Sequence, residues 1–232
     1  MNSLIIPFPF MPWRARPLEL RIDVQPQPDE LEKELDALHD RISCPGDALH
    51  GLPALCIHFP GLVFRYREAD GEHYIYVEDM ARRCLAGYTV LNRLIEVSRR
   101  ADPHLRAPHS KYAPAYQRRG IATAIYRWWL ESGQCLITGA RQSTGANALW
   151  HSLARHYELV YADLRGKNLC CLGPDVDERT REDLHTRMVL LGRGWSAERL
   201  GEEAGMLLPP GGAHADVHAA HADGMGKRWR RR

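Results

Sequence analysis

Residues 112–123 read Tyr112-Ala113-Pro114-Ala115-Tyr116-Gln117-Arg118-Arg119-Gly120-Ile121-Ala122-Thr123. This pattern is typical of a strand that ends, a glycine turn, and the first turn of a helix. Such a junction directs several main-chain N–H groups to one place, and the helix end adds partial positive charge there. A phosphate or diphosphate binds well at such a place. The sequence therefore predicts an anion-binding turn near the middle of the chain.

The residue types inside this turn favour the same interpretation. Gly120 lets the main chain approach a ligand closely, and the small side chain of Ala122 keeps that approach open. Arg118 and Arg119 add long-range attraction for an anion. The alternative is an ordinary strand-to-helix turn, in which the glycine only fits the backbone and both arginines are solvated charges.

The first half of the chain predicts one helix and three antiparallel strands. Asp29 and Glu32 indicate a helix start, and an apolar stripe runs from Leu31 to Ile42. Strands over 62–67 and 73–77 flank Asp70-Gly71, which is a strong signal for a short hairpin turn. A third strand is predicted over 84–91.

The second half alternates strands and helices. After the opening turn, apolar residues at helical spacing predict a helix that packs on the sheet and ends at Gly133. A short buried strand over 135–138 follows, and Thr144 is expected to cap the next helix. Strands are predicted over 158–164, 168–172 and 186–191, with a short helix over 196–207. The predicted class is α/β (α+β), with a mixed, mostly antiparallel central sheet flanked by helices.

Composition predicts three parts of the chain. Residues 1–17 are rich in proline and expected to be irregular, residues 18–208 form the domain, and its first strand covers 18–24. Residues 209–232 are expected to be a disordered tail rich in histidine and arginine. His214, His218 and His221 have a spacing that a helical tail could use for a metal, but we expect no metal site.

Charge and cysteine content set limits on location and partners. The net charge of +2 does not demand a polyanionic partner, although basic residues crowd positions 227–232. We interpret the cysteines as thiols of a reducing compartment, with Cys56, Cys84, Cys135 and Cys170 buried. The N-terminus is a poor signal peptide, and no apolar run reaches the ~20 residues that cross a bilayer. We expect a cytoplasmic protein without a membrane partner.

The opening stretch resembles motif A of the Gcn5-related N-acetyltransferase (GNAT) superfamily, written Q/R-x-x-G-x-G/A. Gln117, Gly120 and Ala122 fill the defining positions, and the order of elements agrees over residues 60–192. The resemblance implies that acetyl-CoA is the co-substrate and that an amine is the acceptor. It implies that the motif binds the diphosphate and that the end of the preceding strand pairs with the pantetheine arm. The implied coenzyme-binding residues are Tyr112, Ala113, Gln117, Arg118, Arg119, Gly120, Ile121, Ala122, Thr123 and Asn147.

The resemblance leaves the proton-transfer residues open. Trp150 stands where the family often has a tyrosine that protonates the leaving thiolate, and an indole cannot do so. We expect Trp150 to pack in the core, while Tyr157, Tyr126 or Ser143 could supply the proton instead, or the thiolate could leave into water. An amine attacks only when neutral, so a base is needed as well. The candidate catalytic residues are His109, Glu96 and Tyr157, with Glu78 and His104 as further bases.

Two other classes of function remain open from the sequence. A GNAT-like protein that binds an acyl-CoA without turning it over fits the missing tyrosine. A nucleic-acid partner would use the basic tail and a faint helix–turn–helix pattern in residues 184–205, and it ranks lowest. The acceptor, a small molecule or a protein, stays unidentified, and a homodimer is possible.

Overall fold

A computed structural model of the protein describes residues 28–209. Within these residues, eight strands form one sheet in the order β1-β2-β3-β4-β5-β8-β6-β7, and five α-helices flank it. All neighbouring strands are antiparallel except β4 and β5, which confirms the predicted mixed, mostly antiparallel sheet. The elements are α1 Pro28–Ser43, β1 Leu62–Ala69, β2 Glu72–Asp79, β3 Cys84–Asn92, β4 Leu105–Tyr112, α2 Ile121–Glu131, β5 Cys135–Ile137, α3 Thr144–Leu153, β6 Leu159–Arg165, β7 Asn168–Gly173, α4 Glu178–Glu182, β8 Thr186–Leu190 and α5 Ala197–Ala204.

The hairpin of β1 and β2 forms at the predicted turn. Asp70 and Gly71 both have positive φ angles, +56° and +75°. Two successive residues of this kind make the tight turn whose twist matches the flanking strands, and the pairing runs in register from Ala69↔Glu72 to Leu62↔Asp79. The dipeptide therefore sets the register between β1 and β2.

The helices bury opposite faces of the sheet. Ile125 and Leu130 of α2 and Leu153 of α3 are fully buried against one face. On the other face, Leu35 of α1 packs in one cluster and Leu200 of α5 in another. The apolar spacing that predicted α1, α2 and α3 therefore marks the sides on which these helices pack.

The pairing of β4 with β5 stops after two residue pairs. Leu105 lies opposite Cys135 and Arg106 opposite Leu136, whereas the other edge of β4 stays paired with β3 as far as Tyr112. On its other side, β5 stays bonded to β8 as far as Thr138, whose N–H donates to Met188 O at 2.9 Å. A gap, here called the wedge, therefore opens between residues 107–112 and 137–140.

Some sequence predictions are corrected by the structure. Ser143, not Thr144, caps α3, because its hydroxyl oxygen accepts a hydrogen bond from the Ala146 N–H at 3.2 Å. Cys56 is exposed rather than buried, because it lies on an irregular segment beside β1, and Cys84 and Cys170 are only partly buried. The helix–turn–helix pattern in 184–205 is wrong, since strand β8 occupies its first part.

Several predictions fall outside the described residues. These concern the irregular segment 1–17, the strand over 18–24, and nearly all of the tail, including its histidines and terminal arginines. Within residues 28–209, no helix combines the length and the apolar character needed to cross a bilayer.

Gly87 in β3 lies so close to β4 that no side chain would fit at its position. Its φ angle is +156°, and an added Cβ atom would lie 2.3 Å from both Lys111 O and Tyr112 Cδ1. We expect Gly87→Ala to lower the free energy of unfolding by about 3 kcal/mol, through overpacking and backbone strain. Urea denaturation measures this loss.

The control for this variant is Gly145→Ala in the first turn of α3. An added Cβ atom there meets no atom within 4 Å, and the φ angle is ordinary. Its stability should change by less than about 1 kcal/mol. Equal stability of Gly87→Ala and the wild type would contradict the close packing of β3 against β4.

Candidate functional site

The predicted turn between strand and helix is present and lies at the surface. β4 ends at Tyr112, a short 3-10 turn covers Pro114–Tyr116, and α2 begins at Ile121. Gly120 has a φ angle of +82° with open space around it, and Arg118 has a φ angle of +57°. A non-glycine residue with a positive φ angle of this size costs about 1 kcal/mol. Arg118 therefore has a backbone conformation that its own side chain disfavours.

The helix start offers free donors. The first helical hydrogen bond runs from Ala124 N–H to Gly120 O at 3.0 Å. The N–H groups of Ile121, Ala122 and Thr123 come before it and therefore have no partner inside the helix. Within residues 28–209, no side chain caps this end of α2. The geometry suits an anion, because the helix dipole adds to the same donors.

Arginines surround Tyr116 at this turn. The Arg119 and Arg82 guanidinium groups lie over the Tyr116 ring, 5.4 and 5.6 Å from its centre. The Tyr116 hydroxyl donates to Asp79 Oδ2 at 2.8 Å and accepts from Arg82 Nη1 at 3.3 Å. Burial and the neighbouring Cys84 raise the pKa of Tyr116 to about 12, so the hydroxyl stays protonated at neutral pH. Sequence reasoning missed Arg82, since the turn between β2 and β3 brings it here across 34 positions.

The wedge exposes main-chain groups of β4. Ala113 N–H donates to Ala86 O at 3.0 Å, so residue 113 faces β3. Because N–H groups alternate between the two edges along a strand, those of Ser110 and Tyr112 face the wedge. Pro108 has no N–H to offer there. The Gln117 side chain donates from Nε2 to Tyr112 O at 2.9 Å and ties the turn to the strand end.

A chain of buried hydroxyl groups holds β4 in place. Thr89 Oγ1 lies 2.8 Å from both Ser110 Oγ and Tyr112 Oη, which links β3 to β4. The Tyr126 hydroxyl of α2 also interacts with Ser110, and burial raises the pKa of Tyr126 to about 12. Burial also raises the pKa of Tyr112. These hydroxyls stay neutral and fix the strand next to the wedge.

A charged cluster covers the other face of β4. Glu34 of α1 accepts a hydrogen bond from Lys111 Nζ at 2.8 Å and one from Tyr88 Oη at 2.6 Å. Burial raises the pKa of the Glu34 carboxyl, but these two bonds outweigh it and leave the pKa below its ordinary value. His109 lies exposed on the same face and interacts electrostatically with Glu34.

The structure separates the other candidate catalytic residues. Glu96 Oε2 lies 3.0 Å from Arg187 Nη2, away from the helix start of α2. Tyr157 donates to Glu131 Oε1 at 2.7 Å, at the last residue of α2. Glu131 lies ten residues after Ile121 along α2, so Tyr157 contacts the helix about 15 Å from its start. Asn147 lies exposed in the first turn of α3.

The remaining candidates have structural partners. Trp150 is 3% exposed and packs in the core, as predicted. Glu78 is buried and paired with Arg65 at 2.6 Å, and the His104 ring lies 5.1 Å from the Trp195 ring. Ser143 caps α3. These contacts explain the residues without a catalytic role.

Comparison with known proteins gives two similar solved structures. One is RimL, a ribosomal L7/L12 alpha-N-protein acetyltransferase in complex with coenzyme A, at 12% identity, over 51% of this chain and 60% of that chain, with a TM-score of 0.31. The other is a chimera of the spermidine N-acetyltransferase SpeG from Vibrio cholerae and hSSAT, at 14% identity, over 71% and 91%, with a TM-score of 0.33. The match thus spans 60% of the first structure's length. No protein-family model and no curated protein matches the chain. Likeness of this degree carries no functional argument.

The pKa of Glu34 should depend on Lys111. We expect Lys111→Met to raise this pKa, because it removes one of the two hydrogen bonds that lower it. NMR titration of the Glu34 carboxyl carbon measures the change. Lys167→Met, at the exposed turn between β6 and β7, is the matched control and should leave the Glu34 pKa unchanged.

The same shift sets a pH dependence of stability. A carboxyl whose folded pKa is lowered contributes stability above its unfolded pKa, and this contribution disappears as pH falls through the folded value. The wild type should therefore exceed Lys111→Met in stability at neutral pH and lose that advantage in acid. An identical Glu34 titration in both proteins would contradict the ion pair.

Proposed function

We propose that the protein is an acetyl-CoA-dependent N-acyltransferase that moves an acetyl group to an amine. The observation that carries the proposal is the uncapped start of α2, which follows directly on a strand with an exposed edge. A diphosphate fits the donors of the helix, and an extended chain fits the strand edge. Coenzyme A contains both features in one molecule, with the reactive thioester at the end of its extended arm.

The turn supports diphosphate binding through donors and charge together. The N–H groups of Ile121, Ala122 and Thr123 would bind the phosphate oxygens, and Gly120 leaves the approach open. Arg118 and Arg119 are both exposed beside this point. Two cations next to a helix start strengthen and steer the binding of a diphosphate.

The wedge supports binding of the pantetheine arm. Amide groups of the arm would pair with the free edge of β4 near Tyr112 and Ala113, as an added strand pairs with a sheet. The N–H of Ser110 or Tyr112 would then polarise the thioester carbonyl. Asn147 would bind the arm from the opposite side, at the start of α3.

The reaction needs no covalent intermediate on the enzyme. The neutral amine nitrogen attacks the thioester carbon, a C–N bond forms, and the C–S bond breaks. One proton leaves the nitrogen and one is taken up by the sulfur, so the products are an amide and free coenzyme A. His109, on the face of β4 away from α2, would accept the proton from the amine, with Glu96 as the second candidate base.

Binding without turnover is the second candidate function. It is favoured by the buried Trp150, which offers no hydroxyl to the leaving thiolate. Tyr157 would supply a proton only if the thioester lay near the far end of α2. Release of free coenzyme A with a panel of amines separates an enzyme from a binding protein.

Gly120→Glu tests the diphosphate site. The new carboxylate would stand in the open space at the helix start and repel the phosphates, and the φ angle of +82° adds strain. We expect the affinity for acetyl-CoA, measured by calorimetry, to fall by about a hundredfold or more.

Gly166→Glu is the matched control for this variant. Gly166 is also exposed, has a φ angle of +56° and meets no atom within 4 Å, but it lies in the turn between β6 and β7. Its affinity for acetyl-CoA should equal that of the wild type. If Gly120→Glu binds acetyl-CoA as tightly as Gly166→Glu, the site is elsewhere.

His109→Gln tests the proposed base. We expect kcat/KM to fall by about 10²–10⁴-fold while acetyl-CoA affinity is kept, and the acid limb of the pH–rate profile to disappear. His58→Gln, an exposed histidine on an irregular segment, is the control and should keep the full rate. A pH profile unchanged by His109→Gln would assign the base to another group.

A further inference from the structure

A strongly basic surface lies beside the start of α2. Two turns meet there, residues 79–84 between β2 and β3 and residues 113–120 between β4 and α2. Together they contain four exposed arginines and a single acid, Asp79. We call this surface the arginine patch, and its members are Arg82, Arg83, Arg118 and Arg119. The proposed diphosphate site uses only the two arginines of the second turn.

Asp79 joins the two turns through its carboxylate. Its Oδ1 accepts hydrogen bonds from the main-chain N–H groups of Ala81 at 3.1 Å and Arg82 at 3.0 Å. Its Oδ2 accepts a hydrogen bond from the Tyr116 hydroxyl at 2.8 Å. The bonds from the Arg82 N–H and from Tyr116 lower the pKa of this carboxyl, so it stays ionised at neutral pH. The position of Arg82 is therefore set before any ligand binds.

The Arg82 side chain keeps donors for a ligand. It is 63% exposed, and its Nε lies 4.0 Å from Asp79 Oδ2, which is too far for a hydrogen bond. Within residues 28–209, its guanidinium group donates one hydrogen bond, from Nη1 to the Tyr116 hydroxyl at 3.3 Å. A guanidinium group has five N–H donors in a planar fork, which matches two oxygens of a phosphate. Arg82 can therefore bind a phosphate without giving up its contact with Tyr116.

The patch holds more positive charge than its own residues balance. Four arginines repel one another, and Asp79 offsets only one of them. Arg83 and Arg118 also have positive φ angles, +53° and +57°, which disfavour residues with side chains. Strain of this kind is kept at sites where a fixed backbone shape serves a ligand. An anion bound at the patch would remove the repulsion.

The direction of coenzyme A across β4 indicates which anion this is. The wedge lies along one edge of β4, and β3 pairs with the other edge. With the pantetheine arm in the wedge and the diphosphate at the start of α2, the adenosine would leave on the β3 side, where Arg82 lies. The ribose of this adenosine carries a 3′-phosphate. Such a monoester has a charge of about −1.5 to −2 at neutral pH, more than either phosphate of the diphosphate.

We infer that the arginine patch binds the 3′-phosphate of coenzyme A, with Arg82 as the main donor and Arg83 as a second charge. The guanidinium groups of Arg82 and Arg119 lie 5.6 and 5.4 Å from the centre of the Tyr116 ring, so both phosphate positions share one rigid support. The inference rests on the proposed function and extends it. It makes the protein select coenzyme A over the same molecule without this phosphate.

Acetyl-CoA and 3′-dephospho-acetyl-CoA are the probes, since they differ only in this phosphate. We expect calorimetry with the full chain to show about tenfold tighter binding of acetyl-CoA. Arg82→Gln should reduce this preference to about threefold or less, and Arg83→Gln should reduce it in part. The matched control is Arg155→Gln, at an exposed position just after α3, which should keep the full preference.

The inference and the proposed function fail in different ways. Wild-type protein that binds both ligands equally tightly would overturn the inference and leave the diphosphate site standing. A preference that both Arg82→Gln and Arg83→Gln keep would also overturn it, because another group would then bind the 3′-phosphate. Protein that binds neither ligand would overturn the proposed function and the inference with it. Circular dichroism shows whether Arg82→Gln folds, and the exposed Arg83→Gln gives the test if it does not.

Discussion

Pairing between β4 and β5 ends early, and this leaves one edge of β4 open where the chain turns into α2. Two residue pairs join these parallel strands, and then β5 continues with β8 while β4 continues with β3. A strand edge that ends this way has donors and acceptors with no sheet partner, and these groups need either water or a ligand. The turn into α2 begins at the end of that edge, so a second set of main-chain donors lies beside the first. An extended, phosphorylated ligand would satisfy both sets.

The surroundings of β4 keep this edge rigid and leave it accessible. Gly87 allows the Tyr112 ring to lie directly on β3, and the hydroxyl chain through Thr89 joins the two strands from the α2 face. On the other face, Glu34 and Lys111 tie β4 to α1. Because contacts on both faces already hold β4 in place, a ligand that binds to its edge costs the protein little conformational entropy. Coenzyme binding and acyl transfer both require such preorganisation.

Local patterns in the sequence predicted most of the fold and the central turn. Asp70-Gly71 identified the hairpin, helical spacing identified α2, and Gly120 marked the turn before α2, because each of these depends on neighbours in the chain. The sequence could not place Arg82 beside Tyr116, since that contact joins residues far apart in the chain. It could not show the exposure of Cys56, because that follows from how separate segments pack. The sequence offers Tyr157 as a substitute proton donor, and only the structure places it at the far end of α2.

The most direct test of the central claim is a crystal structure of the protein with coenzyme A. We expect the diphosphate oxygens to lie about 3 Å from the N–H groups of Ile121, Ala122 or Thr123, and the pantetheine arm to run along the wedge beside Tyr112. A complex in which coenzyme A lies elsewhere, with the start of α2 bound only to water, would contradict it.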